Sequence, residues 1–130
     1  MNTRQLLVLG ASVLPTFVCE AAVAEEVAAN YVQVAEIEID PAQLENYQAA
    51  VKEHIETAIR VEPGVLVLYA VSEKDNPINV RVFEVYASVD AYKAHLEAPH
   101  FKKYKSTTEK MVRSLRLVQT TPIALAAKPR

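Results

Sequence analysis

The stretch VLVLYAVSEKDNPINVRVFEVYA (residues 65–87) decides the fold predicted for this chain. It holds two runs of mostly apolar residues, Val65–Ser72 and residues 78–87, which are separated by a polar turn at residues 73–77. Apolar runs of this length are typical of strands that are covered on both faces. The stretch therefore predicts two middle strands of a sheet, joined by a turn.

The residues on either side complete an alternation of strands and helices. Tyr31–Ile39 predicts a strand, and Asp40 is placed to cap a helix that runs to about position 61. Beyond the middle strands, Ser88 is placed to cap a second helix, and a third helical pattern occupies residues 101–115. Strand-like residues 115–126 close the domain.

The predicted order is β-α-β-β-α(α)-β, which is that of the ferredoxin-like split βαβ arrangement in the α+β class. Helices cover only one face of such a sheet, yet the middle strands are apolar on both faces. We therefore expect a second copy of the chain to cover the open face, sheet against sheet, in a twofold homodimer.

The N-terminal residues 1–24 predict an export signal. Arg4 precedes an apolar run, and Ala22-Val23-Ala24 gives the small-residue pattern that a signal peptidase reads before Glu25. The run is too short for a permanent membrane span, so we expect a periplasmic or secreted domain, residues 25–130, with no stable membrane anchor. Cys19 leaves a lipoprotein as the alternative, but the bulky residue before it disfavours lipidation.

Composition excludes several functional classes. The net charge of −2 and the lack of a basic stripe argue against nucleic acid as a partner. The single cysteine and one of the two glycines fall within the export signal, which removes a thiol nucleophile and a glycine-rich phosphate loop. No HxH or HExxH spacing is present, so no metal site is expected.

Three histidines, His54, His95 and His100, are set among apolar residues. Histidine is the side chain whose proton moves near neutral pH, so this placement indicates proton chemistry in a small apolar pocket. The alternative is structural: His54 as a partly buried histidine bonded to a carbonyl, and His100 as a helix-start residue that satisfies local backbone.

Glu84 lies in the middle of an apolar strand, where an isolated carboxylate is costly to bury. It should therefore be paired. One candidate partner is a histidine, whose tautomer the carboxylate would fix; the other is an ion pair with Arg81 or Arg116.

Five segments resemble the antibiotic biosynthesis monooxygenase (ABM) family, over roughly residues 31–117. They are EPGVL (62–66), YAV (69–71), RVFEVY (81–86), AYKAH (91–95) and PHF (99–101). Within the family the chain is most similar to the small quinol monooxygenases and the autoinducer-2-phosphate-processing isomerases. The resemblance implies a dimeric α+β barrel with a pocket between sheet and helices, and no cofactor in the quinol-oxidising members. The chain has no tryptophan, which counts against the haem-degrading branch.

The resulting expectation is a cofactor-independent monooxygenase that oxidises a quinol or small phenol with O₂. Triplet O₂ reacts poorly with closed-shell molecules, so the protein has to supply a base that makes an electron-rich phenolate in a dry pocket. His95 is the leading proton acceptor, with His54 and Glu84 orienting it or sharing the proton. The candidate substrate-binding residues are His100, Tyr69, Tyr86 and Phe101. An isomerase or lyase of the same fold and a non-catalytic binding dimer are the alternatives.

Overall fold

The computed structural model describes residues 10–12 and 29–130. The predicted export signal, with Cys19 and its cleavage site, lies outside the described residues apart from residues 10–12. Among the helices of the described part, none combines the length and the apolar character needed to cross a membrane.

Four strands and three helices make up the domain, with a short 3-10 turn before the first helix. In chain order they are β1 (Tyr31–Ile39), the turn Pro41–Gln43, α1 (Leu44–Val61), β2 (Val65–Ser72), β3 (Asn79–Tyr86), α2 (Val89–Glu97), α3 (Pro99–Thr108) and β4 (Val112–Thr120). The strands form one antiparallel sheet in the order β2-β3-β1-β4. This is the ferredoxin-like α+β fold, so the predicted fold class is confirmed.

Local capping explains where the 3-10 turn that leads into α1 begins, and where α2 begins. The Asp40 side chain accepts a hydrogen bond from the Ala42 backbone N–H at 3.1 Å, and Ser88 accepts one from Ala91 at the same distance. Both N-caps were predicted from the sequence, and both satisfy backbone donors that the first helical turn leaves free.

Two predictions about the strands are wrong. β2 is an edge strand and not a middle one, and its last four residues are all exposed. The third helix ends at Thr108, and β4 begins at Val112, because this segment pairs with β1 in the register Leu115 opposite Ile37. Pairing with a strand far away in sequence outweighs the local helical pattern.

The core lies between the helices and one face of the sheet, in two clusters. The larger contains Ala35, Ile37, Ile39, Tyr47, Val51, Val80 and Val82, and the smaller contains Ala58, Val65, Leu68 and Tyr86. Between them the sheet carries a polar pair, Gln33 opposite Glu84. A polar row in an otherwise apolar layer marks the place where a site can form.

The other face of the sheet is not covered by any element of the described chain. Its large apolar side chains Tyr69, Val71 and Phe83, here called the outer face, are all exposed. The helices also leave β4 partly bare, since Leu115 and Leu117 are exposed although they pair with buried residues of β1. The expected homodimer, which this single chain does not test, stays a prediction.

Candidate functional site

A cavity of about 90 Å³ lies between the helices and the covered face of the sheet. We call it the central cavity. Its walls are mainly apolar or aromatic, and the polar groups that reach it include Gln33, His54, Glu84 and Lys105. The exposed Leu115 and Leu117 also line it, so the cavity opens between α3 and β4.

A larger open groove of about 760 Å³ runs along α1 and the β2 edge. It contains Tyr69 but no histidine, and its carboxylate Glu56 lies 3.8 Å from Lys52 in an exposed ion pair. The central cavity is smaller, yet it is the one that combines enclosure with groups able to move a proton.

His54 occupies the buried stripe of α1 and is only 7% exposed. Its ring stacks on that of Tyr104, with centroids 4.7 Å apart and an angle of 15°. Its Nδ1 is buried and has no hydrogen-bond partner among the described residues. Burial, together with the neighbouring His95 and His100, lowers the pKa of His54 to about 4, so the ring is neutral at pH 7. One nitrogen of a neutral imidazole carries no proton and can accept one, although the lowered pKa makes this ring a weaker base than a free imidazole.

Glu84 faces the central cavity from β3, and its carboxylate is held by two neutral donors. Tyr86 donates its hydroxyl to Oε1 at 2.7 Å, and the Gln33 amide donates to Oε2 at 2.8 Å. Tyr31 in turn donates to the Gln33 carbonyl oxygen at 3.1 Å, which fixes the amide's orientation. These bonds compensate the burial of the carboxylate and leave further lone pairs for a ligand hydroxyl.

The partners predicted for Glu84 are therefore wrong. Arg81 pairs with Glu73 at 3.4 Å, and Arg116 pairs with Glu36 at 3.5 Å. Arg81 is three residues from Glu84 on the same strand, and side chains an odd number of residues apart point to opposite faces of a sheet. No histidine pairs with Glu84 either, because His95 and His100 bond to a different carboxylate and His54 Nδ1 has no partner among the described residues.

That carboxylate is Glu62, which ends α1. His95 Nδ1 lies 2.7 Å from Glu62 Oε2, and His100 Nε2 lies 2.6 Å from the same oxygen. Glu62, His95 and His100 are called the Glu62 cluster below. Burial alone would raise the pKa of Glu62, but the hydrogen bonds from the two histidines outweigh it and hold the pKa below its usual range.

A close approach of two elements builds the Glu62 cluster. A Cβ atom added to Gly64 would lie 2.7 Å from the Ala91 Cβ, closer than real Cβ atoms come. Glycine thus lets α2 pack against the turn after α1, and His95, one helical turn beyond Ala91, comes over Glu62. The role of Glu62 was not predicted from the sequence, although its position two residues before this glycine, in the EPG motif, was a usable signal.

The structure brings some predicted site residues together and sets others apart. His54, Glu84 and Phe101 line the central cavity. His95, 1% exposed, lies behind His54 with ring centroids 5.1 Å apart and does not line the cavity.

The other predicted substrate-binding residues do not line the central cavity. His100 lines a separate outer cleft of about 50 Å³, which it shares with His54. Tyr86 is fully buried and reaches the cavity only through Glu84. Tyr69 is 51% exposed on the outer face, because its register opposite Phe83 points it away from the helices. The geometry thus favours His54, Glu84 and Phe101.

Comparison with known proteins gives a consistent result. The family model of antibiotic biosynthesis monooxygenases matches residues 30–107. A crystal structure from Bacteroides thetaiotaomicron, provisionally named as an antibiotic biosynthesis monooxygenase, is 49% identical, with a TM-score of 0.76 over 80% of this chain and 99% of that one. No protein of curated function matches.

Two further structures extend the likeness. A provisionally named monooxygenase from Lactobacillus acidophilus is 30% identical, with a TM-score of 0.69 over 71% of this chain but only 44% of its own. A provisionally named antibiotic biosynthesis monooxygenase from Nitrosomonas europaea shares the fold at 21% identity, with a TM-score of 0.70 over 74% of this chain and 92% of that one. Fold, matched residues and identity together show that the chain belongs to the antibiotic biosynthesis monooxygenase family.

Proposed function

We propose that this protein is a cofactor-independent monooxygenase that oxidises a quinol or another small phenol with O₂, with His54 as the proton acceptor. The observation that carries the proposal is the unpartnered, buried Nδ1 of a neutral His54 at the wall of the central cavity. A buried nitrogen without a hydrogen-bond partner destabilises a fold, so its presence calls for an explanation. A substrate hydroxyl that bonds to this nitrogen would provide the missing partner.

The reaction follows from what O₂ requires of its partner. His54 takes a phenolic proton, and the phenolate gives one electron to O₂, which yields a semiquinone and superoxide. The two combine at a ring carbon, and loss of water from the resulting hydroperoxide leaves a hydroxyquinone. One oxygen atom enters the product and the other leaves as water, so a quinol plus O₂ gives a hydroxyquinone plus H₂O. The apolar walls exclude bulk water from these charged intermediates.

The remaining groups have supporting roles in this proposal. Glu84, already fixed by Gln33 and Tyr86, accepts a hydrogen bond from the second hydroxyl and so orients the ring. After the semiquinone and superoxide combine, His54 returns the proton it has taken to the peroxide oxygen, which gives the neutral hydroperoxide and restores the neutral ring for the next turnover. His95 is the leading proton acceptor expected from the sequence. The proposal assigns that role to His54 instead, because Glu62 holds the His95 Nδ1 away from the central cavity.

Oxygen uptake with 1,4-dihydroxynaphthalene tests the proposal, after subtraction of spontaneous oxidation. We expect protein-dependent uptake that falls by about a hundredfold or more in His54→Phe, since general bases contribute about 10²–10⁴-fold. Glu97→Gln is the matched control, because Glu97 lines neither the central cavity nor the outer cleft and forms an exposed pair with Lys102. It should keep the wild-type rate.

Three results would overturn the monooxygenase proposal. Equal rates in wild type and His54→Phe would remove the histidine's role. Turnover of a substrate without O₂ would favour the isomerase or lyase. Saturable binding of the quinol without any turnover would favour the non-catalytic binding dimer.

We further propose that the outer face is covered by a second copy of the chain. Tyr69, Val71 and Phe83 make it apolar and exposed, and sheet-to-sheet packing would bury it. Sedimentation equilibrium should give a dimer at micromolar concentration, and Phe83→Asp should give a folded monomer. A wild-type monomer would contradict this.

Export of the domain is the last part of the proposal. The basis is the sequence of residues 1–24 alone. Expression in a Gram-negative host should give periplasmic or secreted protein that begins at Glu25. A cytoplasmic product that keeps Met1 would contradict export, and a lipid-modified Cys19 would establish the lipoprotein alternative.

A further inference from the structure

The Glu62 cluster has no role in the proposed reaction, and none of its members lines the central cavity. Its three potential ligand atoms nevertheless lie within 4.8 Å of one another. Each comes from a different element: Glu62 from the end of α1, His95 from the last turn of α2 and His100 from the first turn of α3.

We infer that Glu62, His95 and His100 form a binding site for a divalent first-row transition ion, for which Zn²⁺ is the best-matched candidate. Two imidazole nitrogens and one carboxylate oxygen are borderline ligands that suit this group of ions. An ion at about 2.0–2.2 Å from each atom needs only small side-chain movements, because both nitrogens already point at one Glu62 oxygen.

Binding of the ion involves the protons of both imidazoles. In the hydrogen-bonded form each imidazole donates an N–H to Glu62, since a carboxylate only accepts. Coordination requires an unprotonated nitrogen, so the proton on each bonding nitrogen has to leave it, either for the other ring nitrogen or for solvent. Water completes the coordination, and the ion has a route of entry, because the Glu62 and His100 side chains are 16% and 14% exposed.

The position of the ion indicates what it would do. It would join the end of α1 to both helices of the α2–α3 corner, which are the elements that enclose the central cavity. Because it binds the native state and not the unfolded chain, it would stabilise the fold by mass action. This site could not be predicted from the sequence, because His95 and His100 are 33 and 38 residues from Glu62 and are separated by a helix break.

The test uses tag-free protein, stripped with EDTA, dialysed and titrated with Zn²⁺ at pH 7 in a calorimeter. We expect one Zn²⁺ per chain, a higher melting temperature with Zn²⁺, and an X-ray absorption spectrum that shows two imidazoles. Glu62→Gln should weaken binding by at least about tenfold, in line with the cost of losing groups in metal sites. Glu53→Gln makes the same charge change at an exposed ion pair and should bind as wild type does.

His100→Gln keeps the test decisive if Glu62→Gln does not fold, because His100 is the more accessible of the two histidines. No saturable binding up to about 1 mM Zn²⁺ by the folded protein would show that the cluster is only hydrogen-bonded, and would overturn the inference. Stoichiometric binding that neither substitution weakens would place the ion elsewhere and overturn it equally. Neither result depends on whether the protein oxidises quinols.

Discussion

Two buried histidines stand with their ring centroids 5.1 Å apart and have opposite surroundings. His95 is bonded to Glu62, whereas His54 Nδ1 has no partner among the described residues. A buried polar group stabilises a fold when it is paired and destabilises it when it is not. The contrast is consistent with a structural role for His95 and supports the proposed role of His54 in binding a ligand.

The largest expected change in stability comes from removing the carboxylate of Glu62, to which His95 is bonded. Glu62→Leu leaves the His95 N–H buried without a partner, so the free energy of unfolding should fall by about 2 kcal/mol. Urea denaturation measures this change in the free energy of unfolding, and EDTA in the buffer removes any bound metal ion. Glu53→Leu, at an exposed ion pair, should cause no measurable change, and a Glu62→Leu protein of wild-type stability would contradict the structural role of the cluster.

A smaller effect tests what holds the His54 ring in place. The Tyr104 and Tyr47 hydroxyls lie 2.7 Å apart, and Tyr47 is fully buried. Tyr104→Phe keeps the ring that stacks on His54 but leaves the Tyr47 hydroxyl unpaired, which should cost about 1 kcal/mol of unfolding free energy. Quinol turnover should stay within about twofold of wild type. A large loss of turnover would mean that the hydroxyl itself, and not the stacking, serves His54.

The smallest expected change in stability is a gain, and it comes from replacing His54, whose Nδ1 has no partner among the described residues. His54→Phe removes a buried nitrogen without a partner and retains an aromatic ring, so stability should rise by about 0.5 kcal/mol. His95→Phe is the comparison variant and should lose stability. If His54→Phe lost as much stability as His95→Phe, both histidines would be structural.

Most of the fold could be predicted because its signals are local. The alternation in Tyr31–Ile39 and the caps at Asp40 and Ser88 fix elements from a few neighbouring residues. The start of β4 and the edge position of β2 could not be predicted in this way, since they depend on pairing between strands distant in sequence. The position of Tyr69 outside the central cavity has the same cause, because which face it occupies depends on that pairing.

The site was predictable only in part, for a related reason. His54 and Glu84 stand out because each is a polar residue in an apolar run, a signal that one segment carries by itself. The bond from Glu62 to His95 spans 33 residues, and the Gln33–Glu84 bond spans 51. A single sequence shows which residues are unusual, but it does not show which of them meet.

A crystal structure with 1,4-dihydroxynaphthalene, grown without oxygen, tests the central claim most directly. The account predicts one substrate oxygen within about 3.2 Å of His54 Nδ1, which is the distance expected between a base and the oxygen whose proton it takes. The second oxygen should lie beside Glu84. A ring bound in the groove beside Tyr69, with His54 Nδ1 still unpartnered, would contradict it.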